Sequence, residues 1–77
     1  MEFEIIRDIV SKVMKVDPRE LAADTTFVDD LGADSIDICR ILMGIEEEFN
    51  VKLSNDYIYR INTIDDAVSL VTKIKKA

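Results

Sequence analysis

Several residue types are scarce or missing in this chain of 77 residues. It has no histidine and no tryptophan, and it has only one cysteine, one proline and two glycines. Without histidine, the chain lacks the commonest general base and the commonest metal ligand of proteins. A single cysteine can form neither an internal disulfide nor a thiolate metal cluster. The composition therefore predicts neither an enzyme active site nor a metal site.

Long apolar runs are also missing. No stretch approaches the ~20 apolar residues that a membrane span requires, and the N-terminus lacks the basic start, apolar run and cleavage site of a signal peptide. Hydrophobic residues make up 48% of the chain, which is typical of a folded domain rather than a disordered one. We expect residues 1–77 to form one small, monomeric, cytoplasmic domain without membrane insertion and with a thin core.

The charge is unevenly distributed along the chain. Sixteen acidic and ten basic residues give a net charge of −6. Residues 24–48 hold eight acids but only one base, Arg40, which gives this segment a net charge of −7. The net charge of −6 disfavours nucleic acid and anionic membranes as partners and favours basic protein surfaces. Glu46, Glu47 and Glu48 fall near the C-terminal end of a predicted helix, where the helix dipole does not favour acids.

Helical periodicity dominates the sequence. It predicts one helix over residues 2–16 that is stopped at Asp17-Pro18, a second from Asp34 or Ser35 to about residue 50, and a third after a cap at Thr63. Residues 56–61 can form one short helical turn or two. Because no segment alternates as a strand does, we predict an all-α bundle of three main helices plus one short helix. The first connection, residues 19–34, is long, and Phe27 and Leu31 are its expected anchors.

The second predicted helix has two apolar stripes, whereas a helix at the rim of a small bundle needs only one. One stripe comprises Ile38, Ile41, Leu42, Ile45 and Phe49, and the other comprises Ile36, Cys39 and Met43. The second stripe predicts either a central helix or an exposed apolar contact face.

Ser35 stands at the start of this helix, where three interpretations are open. A catalytic serine needs a base within reach, and the chain has no histidine to supply one. A helix-capping serine is common and needs no further function. The third interpretation is an acceptor hydroxyl that a separate enzyme modifies.

The segment Asp29-Asp30-Leu31-Gly32-Ala33-Asp34-Ser35-Ile36-Asp37 resembles the signature of acyl carrier proteins, in which D-L-G-x-D-S-L surrounds a modified serine. Met43, the run Glu46–Phe49 and Phe27 extend the similarity. The resemblance implies that Ser35 bears 4′-phosphopantetheine, which a phosphopantetheinyl transferase adds from coenzyme A. Asp34 would flank this site. The arm's terminal thiol would hold an acyl group as a thioester for delivery to other enzymes.

The resemblance also implies roles for two sets of residues. Partner enzymes with basic patches would contact Ile36, Asp37, Cys39, Arg40, Met43, Glu46 and Glu47. The second set would line a core that opens to shelter the acyl chain; it consists of Phe27, Ile38, Leu42, Ile45, Phe49, Ile61 and Val68.

The chain departs from the family pattern in places. Ile36 stands where leucine is usual, and Arg40 stands where carriers of fatty-acid synthesis typically have an acid. These changes favour a specialised pathway, within fatty-acid or related lipid and polyketide synthesis, over general fatty-acid synthesis. Two alternatives remain: a carrier of aminoacyl or peptidyl groups, and a helical interaction domain without an arm.

Overall fold

Three α-helices and two short 3₁₀ helices form the described part of the chain, so the predicted all-α fold class is confirmed. The structure, a computed structural model, describes residues 2–76, except for the side chain of Lys76. The elements in chain order are α1 (Glu2–Met14), a 3₁₀ helix (Pro18–Glu20), α2 (Ser35–Phe49), a second 3₁₀ helix (Asn55–Tyr59) and α3 (Ile64–Lys76). Over residues 2–76, every helix is too short or too polar to cross a membrane.

Helix α1 packs against both other α-helices through its apolar stripe, in which Ile6 and Val10 are fully buried. It ends at Met14, two residues before the predicted end. Lys15 adopts a left-handed conformation with φ of 56°, and the N–H of Val16 donates to the Ser11 carbonyl at 3.1 Å. This turn satisfies a carbonyl at the helix end. The helix has therefore already ended before Asp17-Pro18, and Asp17 instead caps the first 3₁₀ helix.

The long connection between α1 and α2 is fixed by burial and by hydrogen bonds. Phe27 is fully buried and Leu31 partly buried, as expected of anchors. The N–H of Phe27 donates to the Asn62 carbonyl at 2.9 Å, and the N–H of Ile64 donates to the Thr25 carbonyl at 3.1 Å. These two bonds join the connection to the start of α3.

The second connection contains the predicted short helix, which is a 3₁₀ helix over Asn55–Tyr59 and so begins one residue before and ends two residues before the predicted range of 56–61. After it, Thr63 caps α3 as predicted: its Oγ1 accepts from the Asp66 N–H at 3.1 Å. The Asp66 carboxylate in turn accepts from the N–H groups of Asn62 at 2.8 Å and Thr63 at 3.0 Å. These backbone donors, that of Asn62 most of all, hold the pKa of Asp66 below its ordinary value.

The core is almost entirely aliphatic, and no polar or charged residue is buried among the described residues. Phe27 is its largest fully buried side chain. Of the predicted core set, Phe49 and Val68 are only partly buried and pack at the edge of the core. The others are buried: Phe27, Ile38, Leu42, Ile45 and Ile61.

Candidate functional site

The start of helix α2 is held by a pair of aspartates. The N–H of Asp37 donates to Asp34 Oδ1 at 2.9 Å, and the N–H of Asp34 donates to Asp37 Oδ2 at 3.2 Å. Each carboxylate thus satisfies a backbone donor of the other residue, which is a capping box. The sequence left Asp34 and Ser35 as equal candidates for the cap. The structure assigns the cap to Asp34.

Ser35 is the first residue of α2 and is exposed. Because the two aspartates cap the helix, the Ser35 hydroxyl is not needed there. It stands at the end of the helix where the dipole and the free N–H groups favour an anion such as a phosphate. With no histidine in the chain to act as a base, this geometry suits a hydroxyl that another enzyme modifies.

The loop that leads into Ser35 is held in place by the backbone conformation of Gly32 and by the burial of Ala33. Gly32 has φ of 66°, in the left-handed region that favours glycine. The next residue, Ala33, is buried, and its N–H donates to the Phe27 carbonyl at 2.8 Å. A Cβ placed on Gly32 would meet no atom within 4 Å. The backbone before Ser35 is therefore fixed, and the positive φ of Gly32, rather than a lack of space, is what favours glycine there.

The two stripes of α2 face different surroundings. Ile38, Ile41, Leu42 and Ile45 are buried, and Phe49 is partly buried. On the other stripe, Ile36 is 62% exposed, Met43 is 54% exposed, and Cys39 is half-buried. We call this second stripe the outer apolar face. Of the two arrangements that this stripe predicted, a central helix or an exposed apolar face, the structure shows the exposed face.

The charged residues expected to meet partners fall into two groups. Arg40 and Glu47 are exposed. Asp37 and Glu46 are half-buried and already bonded within the chain, Asp37 in the cap and Glu46 through the Leu53 N–H, which donates to its Oε2 at 2.7 Å. Glu46 therefore stabilises the connection after α2, which explains one of the three acids that the helix dipole left unexplained.

Val28 is a residue that the sequence analysis did not single out. It is 56% exposed in the loop before Ser35, and its carbonyl accepts from the Gly32 N–H at 3.0 Å. Val28 directly follows Phe27 in sequence, but Phe27 is fully buried whereas Val28 is exposed. An apolar residue between a core anchor and the acids Asp29 and Asp30 was the available signal.

Within residues 2–76, no three side chains of histidine, cysteine, aspartate or glutamate lie close enough to hold an ion together.

Comparison with known proteins finds a matching family model and several similar proteins. Residues 4–71 match the model of the phosphopantetheine attachment site. The chain is 42% identical over 72 residues to an acyl carrier protein of Zymomonas mobilis and 40% identical over 72 residues to one of Solidesulfovibrio magneticus. Both alignments cover 94% of this chain and 92% of the relative. An acyl carrier protein of Clostridium acetobutylicum is 34% identical over 71 residues, which is 92% of each chain.

Proposed function

Since this chain belongs to the acyl carrier protein family, we propose that Ser35 is the residue that bears its 4′-phosphopantetheine arm. One observation carries the assignment: Ser35 is exposed at the first position of α2, while Asp34 and Asp37 cap the helix without it. A serine whose only role was to cap the helix would occupy the position of Asp34. Asp34 flanks the attachment residue and fixes the helix start that presents it.

The chain carries acyl groups and does not catalyse a reaction. When bound, the arm supplies a terminal thiol that holds the acyl group as a thioester. The residues of this chain have simpler tasks. Ser35 offers the Oγ to which the transferase moves the arm's phosphate from coenzyme A, and the Asp34–Asp37 cap keeps the hydroxyl at the positive end of α2.

The partners that we propose are a phosphopantetheinyl transferase and acyl-processing enzymes with basic docking patches. The outer apolar face supplies the apolar part of the contact, and Arg40 and Glu47 border it. Asp37 and Glu46 add negative potential at this surface while they keep their internal hydrogen bonds.

We also propose that the core shelters the acyl chain. The lining that we propose belongs to the apolar core cluster and contains no polar side chain; it consists of Phe27, Ile38, Leu42, Ile45, Phe49, Ile61 and Val68. Moving these side chains apart breaks no hydrogen bond between side chains, and an acyl chain between them would replace the lost apolar contacts.

We also propose where and in what form this carrier acts. Residues 1–77 act as one carrier domain, as a monomer in the cytoplasm, in fatty-acid synthesis or a related lipid or polyketide pathway. Arg40, in the middle of α2, favours a specialised pathway. An aminoacyl or peptidyl cargo remains the alternative, which loading with each class of substrate distinguishes.

Intact-mass measurement tests the attachment site directly. The apo chain is incubated with coenzyme A and a phosphopantetheinyl transferase, and we expect its mass to rise by one phosphopantetheine. Ser35→Ala should abolish the gain. Ser69→Ala, which removes an exposed serine from α3, should leave it unchanged. An unchanged wild-type mass with several transferases would refute the proposal and favour an interaction domain without an arm.

A further inference from the structure

We infer that Arg40 is a specificity-determining residue, which selects enzymes whose basic docking surface holds one carboxylate opposite its guanidinium. The inference rests on the proposed function, because it concerns the surface through which a carrier meets its enzymes. It goes further in naming the chemistry that a partner must have at one position.

Arg40 is a single positive charge in an acidic segment. It is the only base among residues 24–48, which hold eight acids. A partner that recognises this segment by its negative potential needs lysine or arginine side chains. At one point, however, that partner meets a cation instead of an acid.

Arg40 is not neutralised by its own helix. The positions three and four residues away, where helical side chains meet, hold Ile36, Asp37, Met43 and Gly44. Asp37 is the single acid among them, and its Oδ2 accepts from the Asp34 N–H. Within residues 2–76, no side chain forms an ion pair with Arg40. The exposed guanidinium therefore retains its full set of donors for a partner.

Arg40 also lies where docking would cover it. Ile36 precedes it by one helical turn and Met43 follows it by nearly one, and both are more than half exposed. A partner that buries both apolar side chains must also come close to Arg40. A lysine or arginine placed there would be repelled, whereas a carboxylate can accept a bidentate pair from the guanidinium. The same residue thus excludes uniformly basic surfaces and favours those with one acid.

A phosphopantetheinyl transferase with a basic docking surface is a suitable probe, since its product is read by mass. Four chains are compared: wild type, Arg40→Gln, Arg40→Glu and Lys73→Glu. Lys73→Glu makes the same charge change on an exposed base of α3, a different helix from the one that carries Arg40. We expect Arg40→Glu to raise kcat/KM about fivefold at low salt, with Arg40→Gln intermediate and Lys73→Glu close to wild type. High salt should remove the difference.

A charge exchange then tests the carboxylate itself. Each basic residue of the transferase docking surface is changed singly to glutamate, and the rates with wild type and Arg40→Glu are compared. At one position the preference should reverse, so that the enzyme variant modifies wild type faster. Equal rates for wild type and Arg40→Glu, or no reversal at any position, would overturn the inference. Failure of every chain to gain mass would instead overturn the proposed function.

Discussion

Asp34 and Asp37 exchange backbone hydrogen bonds across the first turn of α2: the Asp37 N–H donates to Asp34 Oδ1 at 2.9 Å, and the Asp34 N–H donates to Asp37 Oδ2 at 3.2 Å. Ser35 lies between them in sequence and takes no part in this exchange. Two acids therefore perform the capping that a serine often performs. The arrangement leaves a hydroxyl exposed at a helix start whose stability does not depend on it.

The capping arrangement predicts that alanine substitutions at two neighbouring residues have effects of different size on stability. Asp34→Ala should lower the free energy of unfolding by about 1 kcal/mol, because the Asp37 N–H loses its acceptor. Ser35→Ala should change the free energy of unfolding by less than about 0.5 kcal/mol, because the Ser35 side chain is exposed and takes no part in the cap. Urea denaturation of both variants measures the two values. A larger loss for Ser35→Ala than for Asp34→Ala would show that the serine supports the helix.

Glu46 and Glu47 are adjacent acids with different structural roles. The Leu53 N–H donates to Glu46 Oε2 at 2.7 Å, whereas Glu47 is exposed. We expect Glu46→Ala to destabilise the fold by about 1 kcal/mol, since the Leu53 N–H loses a charged acceptor. Glu47→Ala should leave stability within about 0.5 kcal/mol of wild type. Thermal or urea unfolding of this matched pair measures the difference, and equal stabilities would mean that the Glu46 bond contributes nothing.

Much of this fold could be predicted from local pattern, and the errors have local causes. The periodicity of α2 gave both its stripes and its bounds, because burial of one face is a direct consequence of residue spacing. The end of α1 was missed because Lys15 is left-handed, and lysine carries no signal for that conformation as glycine does. The hydrogen bond from the Leu53 N–H to Glu46 joins residues seven positions apart, one of them beyond the end of α2, so the three- and four-residue spacing of a helix does not predict it. The sequence could not decide between Asp34 and Ser35 as the cap, because the cap is the residue with extended backbone angles and either residue can adopt them.

The Asp66 carboxylate predicts a dependence of stability on pH. Hydrogen bonds from the N–H groups of Asn62 and Thr63 lower its pKa in the folded chain. Its stabilising effect is therefore fully present above the pKa of the unfolded chain, about 4, and is lost as pH falls through the lower folded value. Asp66→Asn should be less stable than wild type at pH 7, by less than about 1 kcal/mol because the group is exposed.

The measurement is urea denaturation of wild type and Asp66→Asn from pH 7 down to pH 2. The gap between them should narrow below about pH 4. Asp65→Asn, which makes the same charge change one residue earlier in α3, is the control and should show a smaller gap at pH 7. A gap that widened as the pH fell would contradict the sign of the Asp66 contribution.

Gly44, inside α2, is a glycine because of the close approach of the neighbouring helix rather than because of its own backbone conformation. A Cβ placed there would lie 2.8 Å from Ile9 Cγ2 of α1, closer than van der Waals contact allows. Ile9 is β-branched, so its γ carbons cannot move away freely within a helix. In an isolated helix, Gly→Ala is worth about 1 kcal/mol of stabilisation. Here the forced repacking, of about 1–3 kcal/mol, should outweigh that gain, so Gly44→Ala should destabilise the protein.

A second background separates the two effects. Ile9→Ala removes the γ carbons that the new methyl group would meet, and by itself it should destabilise the chain because Ile9 packs against the core. In that background Gly44→Ala should reverse sign and stabilise by up to about 1 kcal/mol, since only the helix preference remains. Urea denaturation of the four chains gives the coupling free energy between the two positions. If Gly44→Ala had the same effect in both backgrounds, close approach of Ile9 could not be the reason for glycine at this position.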